Sequence, residues 1–132
     1  MKHHKITIIR EISDEDLISI LDGIYSACEW FDSVIYLPEL YEEAVETLIN
    51  TGKKKDKILY VEVLLQMLKN GHSIVFRNDE KDKGHILTFD IFLKSIEKHM
   101  SSKNCSFMDI GCWDYEDFDN VMQLALFGEL LH

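Results

Sequence analysis

The 132-residue chain predicts an α+β fold: a small, mostly antiparallel sheet, a single layer thick, packed against four or five helices, with a buried C-terminal helix. Three observations predict it. Short runs rich in β-branched residues are interspersed with longer segments whose apolar residues recur at steps of three and four. The elements follow in the order strand, helix, short strand, helix, helix, two strands, helix, helix, which does not fit regularly alternating βαβ units. The last run, FDNVMQLALFGELLH at 118–132, is interrupted between Val121 and Leu131 only by Gln123, Gly128 and Glu129, so a helix there is apolar nearly all round and must be buried. No repeat or linker divides the chain, and residues 1–132 are read as one domain, long enough to bury a core.

The elements are justified in turn. Residues 5–12, KITIIREI, read as a first strand because β-branched side chains suit a pleated surface. Ser13 then supplies an oxygen for the unpaired amides of a helix whose first turn holds Asp14, Glu15 and Asp16, acids that favour the positive end of the dipole. Leu17, Leu21, Ile24, Cys28 and Phe31 share one face and extend that helix to about Phe31. Residues 32–37, DSVIYL, form a short strand, and Pro38 opens a helix reaching about Asn50, since its missing N–H costs nothing at the first position. Leu40, Ala44, Val45, Leu48 and Ile49 make its apolar stripe, with Glu39, Glu42, Glu43 and Glu46 facing water. The TGKKKDK stretch at 51–57 is a charged, solvated loop, for its lysines lack the glycine turn and helix start that cradle a phosphate.

Residues 58–69 form a second apolar helix, ended by Asn70 and Gly71. Strands at 73–77 and 85–89 make a hairpin around a polar turn. A helix over about 90–100 places Ile91, Phe92, Leu93, Ile96 and Met100 inward, and a loop at 101–111 leads to the last helix, which Asp114 caps and which starts at about Tyr115.

Composition narrows function. Asp plus Glu number 24 against 14 Lys plus Arg, a net charge of −10; nucleic-acid affinity comes from Lys and Arg neutralising phosphates, so direct nucleic-acid binding is not expected. A partner with a basic surface is attracted instead. Cys28, Cys105 and Cys112 follow no zinc spacing and suit a reducing compartment. No signal peptide opens the chain and no apolar run is long enough to span a bilayer, so a cytoplasmic protein without membrane contact is expected. Neither a nucleophile elbow, a phosphate loop nor a His-Glu-x-x-His helix is present; no catalytic residue, cofactor or metal is expected.

Two constellations remain as candidate binding sites. Asp109, Asp114, Glu116, Asp117 and Asp119 cluster at the start of the last helix. They lack the spaced ligands and glycine of a calcium loop, which leaves helix capping or a partner surface. Trp30 with Glu29 and Asp32 makes either a core contact or the rim of a pocket, an aromatic face beside carboxylates that suits an organic cation or a stacking base.

The stretch DYEDFDNVMQLALFGELL resembles the ending of a family of small phage and prophage proteins of Gram-positive bacteria, D-x-x-x-A-D-x-I-V-Q-Y-A-L-F-G-E-L. Asp114, Asp119, Gln123, Ala125, Leu126, Phe127, Gly128 and Glu129 match it, with Phe118 in place of its alanine. Trp30 and Asp32 match part of an upstream aromatic motif whose glycine pair is replaced by Tyr25 and Ser26; Gly71 and the Leu87, Thr88, Phe92, Leu93, Lys94 set match two others. The resemblance implies a phage accessory function, including interference with host defence. With the charge, it leads to the expectation of a non-enzymatic inhibitor, similar in role to an anti-CRISPR, that binds a host defence protein with a basic surface. The alternatives are a small-molecule sponge for a nucleotide signal, pairing Trp30 with Arg77, and a structural or regulatory phage protein. Two apolar helices, at 58–69 and 115–131, further suggest a homodimer through the C-terminal helix.

Overall fold

A computed structural model describes residues 11–27, 31–78, 83–102 and 113–128. In chain order these form α1 (Asp14–Ala27), β1 (Ser33–Ile35), α2 (Pro38–Asn50), a 3-10 turn (Lys55–Lys57), α3 (Tyr60–Lys69), β2 (Ile74–Asn78), β3 (Lys83–Leu87), α4 (Phe89–Ser102) and α5 (Tyr115–Phe127). The strands make one antiparallel sheet in the order β1-β2-β3, so the α+β class and the single antiparallel layer are as expected. Of the strand expected at 5–12, only Glu11 and Ile12 lie among the described residues, and neither is in a strand.

The helix boundaries follow local chemistry. Ser13 Oγ accepts the Asp16 N–H at 3.1 Å and its carbonyl accepts the Leu17 N–H at 3.0 Å, which opens α1 and sends Leu17, Ile20, Leu21 and Ile24 into the core. Phe31, expected to close this helix, instead sits before β1 with its ring edge-on to Phe76 at 4.8 Å. Pro38 stands in the first turn of α2 as expected. Both α2 and α3 close on a left-handed glycine: Gly52 and Gly71 have φ of 102° and 94°. In each case the glycine and the residue after it donate to carbonyls of the last turn, Gly71 to Leu68 and His72 to Met67 at 3.0 and 3.1 Å, the arrangement that satisfies a helix end.

Several boundaries differ from expectation. The apolar helix starts at Tyr60 rather than 58, because Leu59 is extended and its N–H donates to Glu62 Oε1 at 3.4 Å. The second hairpin strand ends at Leu87, because Thr88 is spent on capping: its Oγ1 accepts the Ile91 N–H at 3.2 Å and its carbonyl the Phe92 N–H at 3.0 Å. The last helix ends at Phe127, four residues short of Leu131. Gly128 there has φ 77° and donates to the Leu124 carbonyl at 3.0 Å. A Cβ on Gly128 would meet nothing within 4 Å, so the glycine serves a backbone turn and not a close helix contact.

One apolar cluster joins every helix to the inner face of the sheet, where Ile74, Phe76 and Leu87 are buried. α4 packs on α5, α1 packs between α5 and α3, and α2 covers α3. α1 and α5 approach so closely that a Cβ on Gly23 would lie 2.6 Å from the Phe118 ring. Both apolar helices are accommodated by one chain: Leu64 and Met67 of α3 and Val121, Met122 and Gln123 of α5 are fully or almost fully buried. A homodimer through the C-terminal helix, as expected from the sequence, is thus not required to bury the described parts of either helix. Among the described residues no helix is long and apolar enough to cross a membrane.

Candidate functional site

The acidic cluster at the start of α5 is only partly a surface. Asp114 and Asp117 cap each other: the Asp117 N–H donates to Asp114 Oδ1 and the Asp114 N–H to Asp117 Oδ2, both at 3.0 Å. Asp117 Oδ1 also lies 3.0 Å from His99 Nε2, and the two residues are 6% and 1% exposed. Trp113 closes over the pair, edge-on to the His99 ring at 5.1 Å. Asp119 accepts a hydrogen bond from Gln123 Nε2 at 2.7 Å. The expectation that Asp117 contacts a partner is corrected by its burial, while Asp114 and Glu116 are exposed and Asp119 is half-buried. Asp109 and Trp30 lie outside the described residues. Asp32 is exposed ahead of β1, with its N–H donating to the Arg77 carbonyl at 2.8 Å. Of the pocket pairing Trp30 with Arg77, only Arg77, on the central strand β2, is among the described residues.

Ser95, one turn before His99, completes a set of residue types used in hydrolases. Ser95 is 4% exposed and its hydroxyl donates to the Phe92 carbonyl at 2.7 Å, which turns it back onto its own helix. The His99–Asp117 seam locks α4 to α5. Among the described residues no group of three or more His, Cys, Asp or Glu is placed to hold a metal ion.

Charge is segregated along the chain in a way the overall balance conceals. Between Arg10 and Lys53 there are 11 carboxylates and no Lys, Arg or His. Ten of them are described, and Glu11, Asp14, Glu15, Asp22, Asp32, Glu39, Glu42, Glu43 and Glu46 are exposed while Asp16 is half-buried. Among them Asp14 meets Lys69 Nζ at 2.6 Å and Glu43 lies 3.5 Å from His72 Nε2. The lysines of the 51–57 loop begin after this stretch, and Lys53 reaches Glu62 Oε2 at 3.0 Å.

A second feature belongs to four tyrosines that no sequence spacing links. Tyr25 in the last turns of α1, Tyr36 after β1, Tyr41 in the first turns of α2 and Tyr60 opening α3 converge into one aromatic patch. Tyr36 stacks on Tyr41 with ring centres 5.5 Å apart and 16° between planes; Tyr60 lies 6.4 Å from Tyr36 and 6.0 Å from Tyr41; Tyr25 meets Tyr60 edge-on at 5.6 Å. The Tyr60 hydroxyl donates to Tyr36 Oη at 3.2 Å. Burial, with the Tyr36 hydrogen bond and the neighbouring phenols, holds the Tyr60 phenol well above the usual tyrosine range, and burial raises Tyr41. Tyr25 is 47% exposed, and Leu37 and Leu59 beside the patch are 62% and 58% exposed. The signal available in sequence was the position of Tyr41 and Tyr60 at helix starts, which does not reveal that both starts meet. Comparison with models of known protein families, with curated proteins and with solved structures finds no match.

Proposed function

We propose that this protein is a non-enzymatic binding protein that occupies a basic, nucleic-acid-binding surface of another protein. In the phage context suggested by its C-terminal motif, that partner is a host defence factor in the cytoplasm of the infected cell. The observation that carries the reading is the segregated charge: 11 carboxylates without a cation between Arg10 and Lys53, nearly all of the described ones exposed on and around α1 and α2. Such exposed carboxylates compete with phosphates for Lys and Arg, steer encounter with a positive groove and repel nucleic acid itself. The acids at the start of α5 contribute less, because Asp114 and Asp117 are engaged in capping.

The test is capture of partners from lysate of a Gram-positive host carrying defence systems, repeated across salt concentrations and with duplex DNA as competitor. The reading predicts retained proteins that bind nucleic acid, released as salt rises because exposed charges are screened within about 8 Å at physiological ionic strength, and displaced by DNA. A partner retained equally at high salt, or one with no nucleic-acid-binding surface, would overturn it.

A further inference from the structure

We propose that the patch formed by Tyr25, Tyr36, Tyr41 and Tyr60 is a docking site for arginine side chains of a protein partner, a proposal that rests on the reading of this chain as a binder of basic surfaces. The rings touch one another at centre distances of 5.5 to 6.4 Å, so no cage is open between them and a ligand meets only their outer faces and edges. A flat group that stacks is suited to such a surface, and the guanidinium is the flat cation of proteins. It lies on aromatic faces through cation–π attraction while its N–H fork reaches neighbouring acceptors.

Those acceptors are present. Asp22, exposed and one helical turn before Tyr25, shares its face of α1. The helices that supply Tyr25 and Tyr41, α1 and α2, carry carboxylates and no cation, which gives that side of the patch the charge complementary to arginine. The phenol hydroxyls add oxygens as further acceptors. Exposed Leu37 and Leu59 offer an apolar rim for the arginine stem, since long cationic side chains lay their methylenes on such surfaces. The 51–57 lysine loop precedes Tyr60 in the chain, so the cationic partner approaches from the α1 and α2 side. A nucleic-acid base stacks on tyrosine too, but its phosphates would face the same carboxylates.

The experiment titrates the full chain, with isotope-labelled tyrosines, against fluorescent oligo-arginine, oligo-lysine and oligothymidine at low salt, reading affinity by anisotropy and location by tyrosine side-chain shifts. Oligo-arginine is expected to shift the four tyrosines and to bind several-fold more tightly than oligo-lysine. Tyr60→Ala and Tyr25→Ala should each weaken it about tenfold, a loss typical of aromatic anchors, with Glu116→Gln unchanged. If Tyr60→Ala unfolds the chain, the exposed Tyr25→Ala and Asp22→Asn carry the same comparison. Equal affinity for the two cationic peptides, untouched by the tyrosine changes, would overturn the tyrosine site while leaving the acidic-binder reading standing. Failure of both cationic peptides to bind would remove that reading as well, and preferential oligothymidine binding at the tyrosines would replace the arginine assignment with a single-stranded nucleic acid.

Discussion

Asp114 and Asp117 close the start of α5 from both sides, each backbone N–H donating to the other's carboxylate at 3.0 Å, and the remaining Asp117 oxygen faces His99 in the core. The two acids therefore differ in consequence although they are three residues apart. Asp114→Ala removes one cap and is expected to cost ~1 kcal/mol. Asp117→Ala removes the cap and also takes from buried His99 the carboxylate 3.0 Å from its Nε2, which is expected to cost ~2–4 kcal/mol. Urea unfolding of both variants checks this, and equal losses would contradict the buried role of Asp117.

Gly23 tests the spacing of α1 and α5. In an exposed helix, glycine to alanine stabilises by about 1 kcal/mol, but here the new methyl would sit 2.6 Å from the Phe118 ring. Overpacking of this kind costs ~1–3 kcal/mol, so Gly23→Ala is expected to lower the melting temperature. Adding Phe118→Leu should restore part of the loss; a stabilised single variant would show that the helices separate freely.

How much was legible follows from how local each cause is. Ser13, Pro38 and Asp114 mark helix starts through their own backbone neighbours, and all three do so in the fold. Gly71 marks a helix end for the same reason. By sequence Thr88 falls inside the strand its residue type favours, because its capping of α4 competes with strand propensity and the winner depends on the helix that follows. The acidic run at α5 was visible, yet sequence could not tell capping acids from free ones, since Asp117 is decided by His99 arriving from another helix. The tyrosine patch was hidden because its members are brought together by tertiary packing alone, Tyr36 and Tyr60 being 24 residues apart.

The raised Tyr60 phenol makes stability fall on the alkaline side. A group whose folded pKa lies above its unfolded value of about 10 contributes fully below that pH, and the contribution is lost as pH rises toward the folded value, because the unfolded chain ionises first. Tyr60→Phe should therefore lose less stability than the parent chain between about pH 10 and 11. Parallel denaturation curves at neutral and alkaline pH measure the difference, and an identical alkaline loss in both proteins would contradict it.

Because one chain buries α3 and α5 together, the protein is expected to scatter light as a monomer at micromolar concentration. Phe127, half-buried with its ring edge-on to His85 at 4.7 Å, then serves the monomer, and Phe127→Glu should destabilise it without changing its mass in solution. A concentration-dependent dimer that Phe127→Glu dissociates into folded monomers would return the C-terminal helix to an interface.

The central claim, that the carboxylates of the α1 and α2 face do the binding, is tested most directly by comparing two neutralised proteins for affinity toward the captured partner. One carries Glu39→Gln, Glu42→Gln and Glu46→Gln on α2; the other carries Glu116→Gln at the start of α5, a change that spares the capping pair. The account predicts that the α2 variant loses at least about tenfold in affinity, or about 1.4 kcal/mol, and much of its salt dependence, while the α5 variant binds as the parent does. Full affinity in the α2 variant with loss in the α5 variant would contradict it.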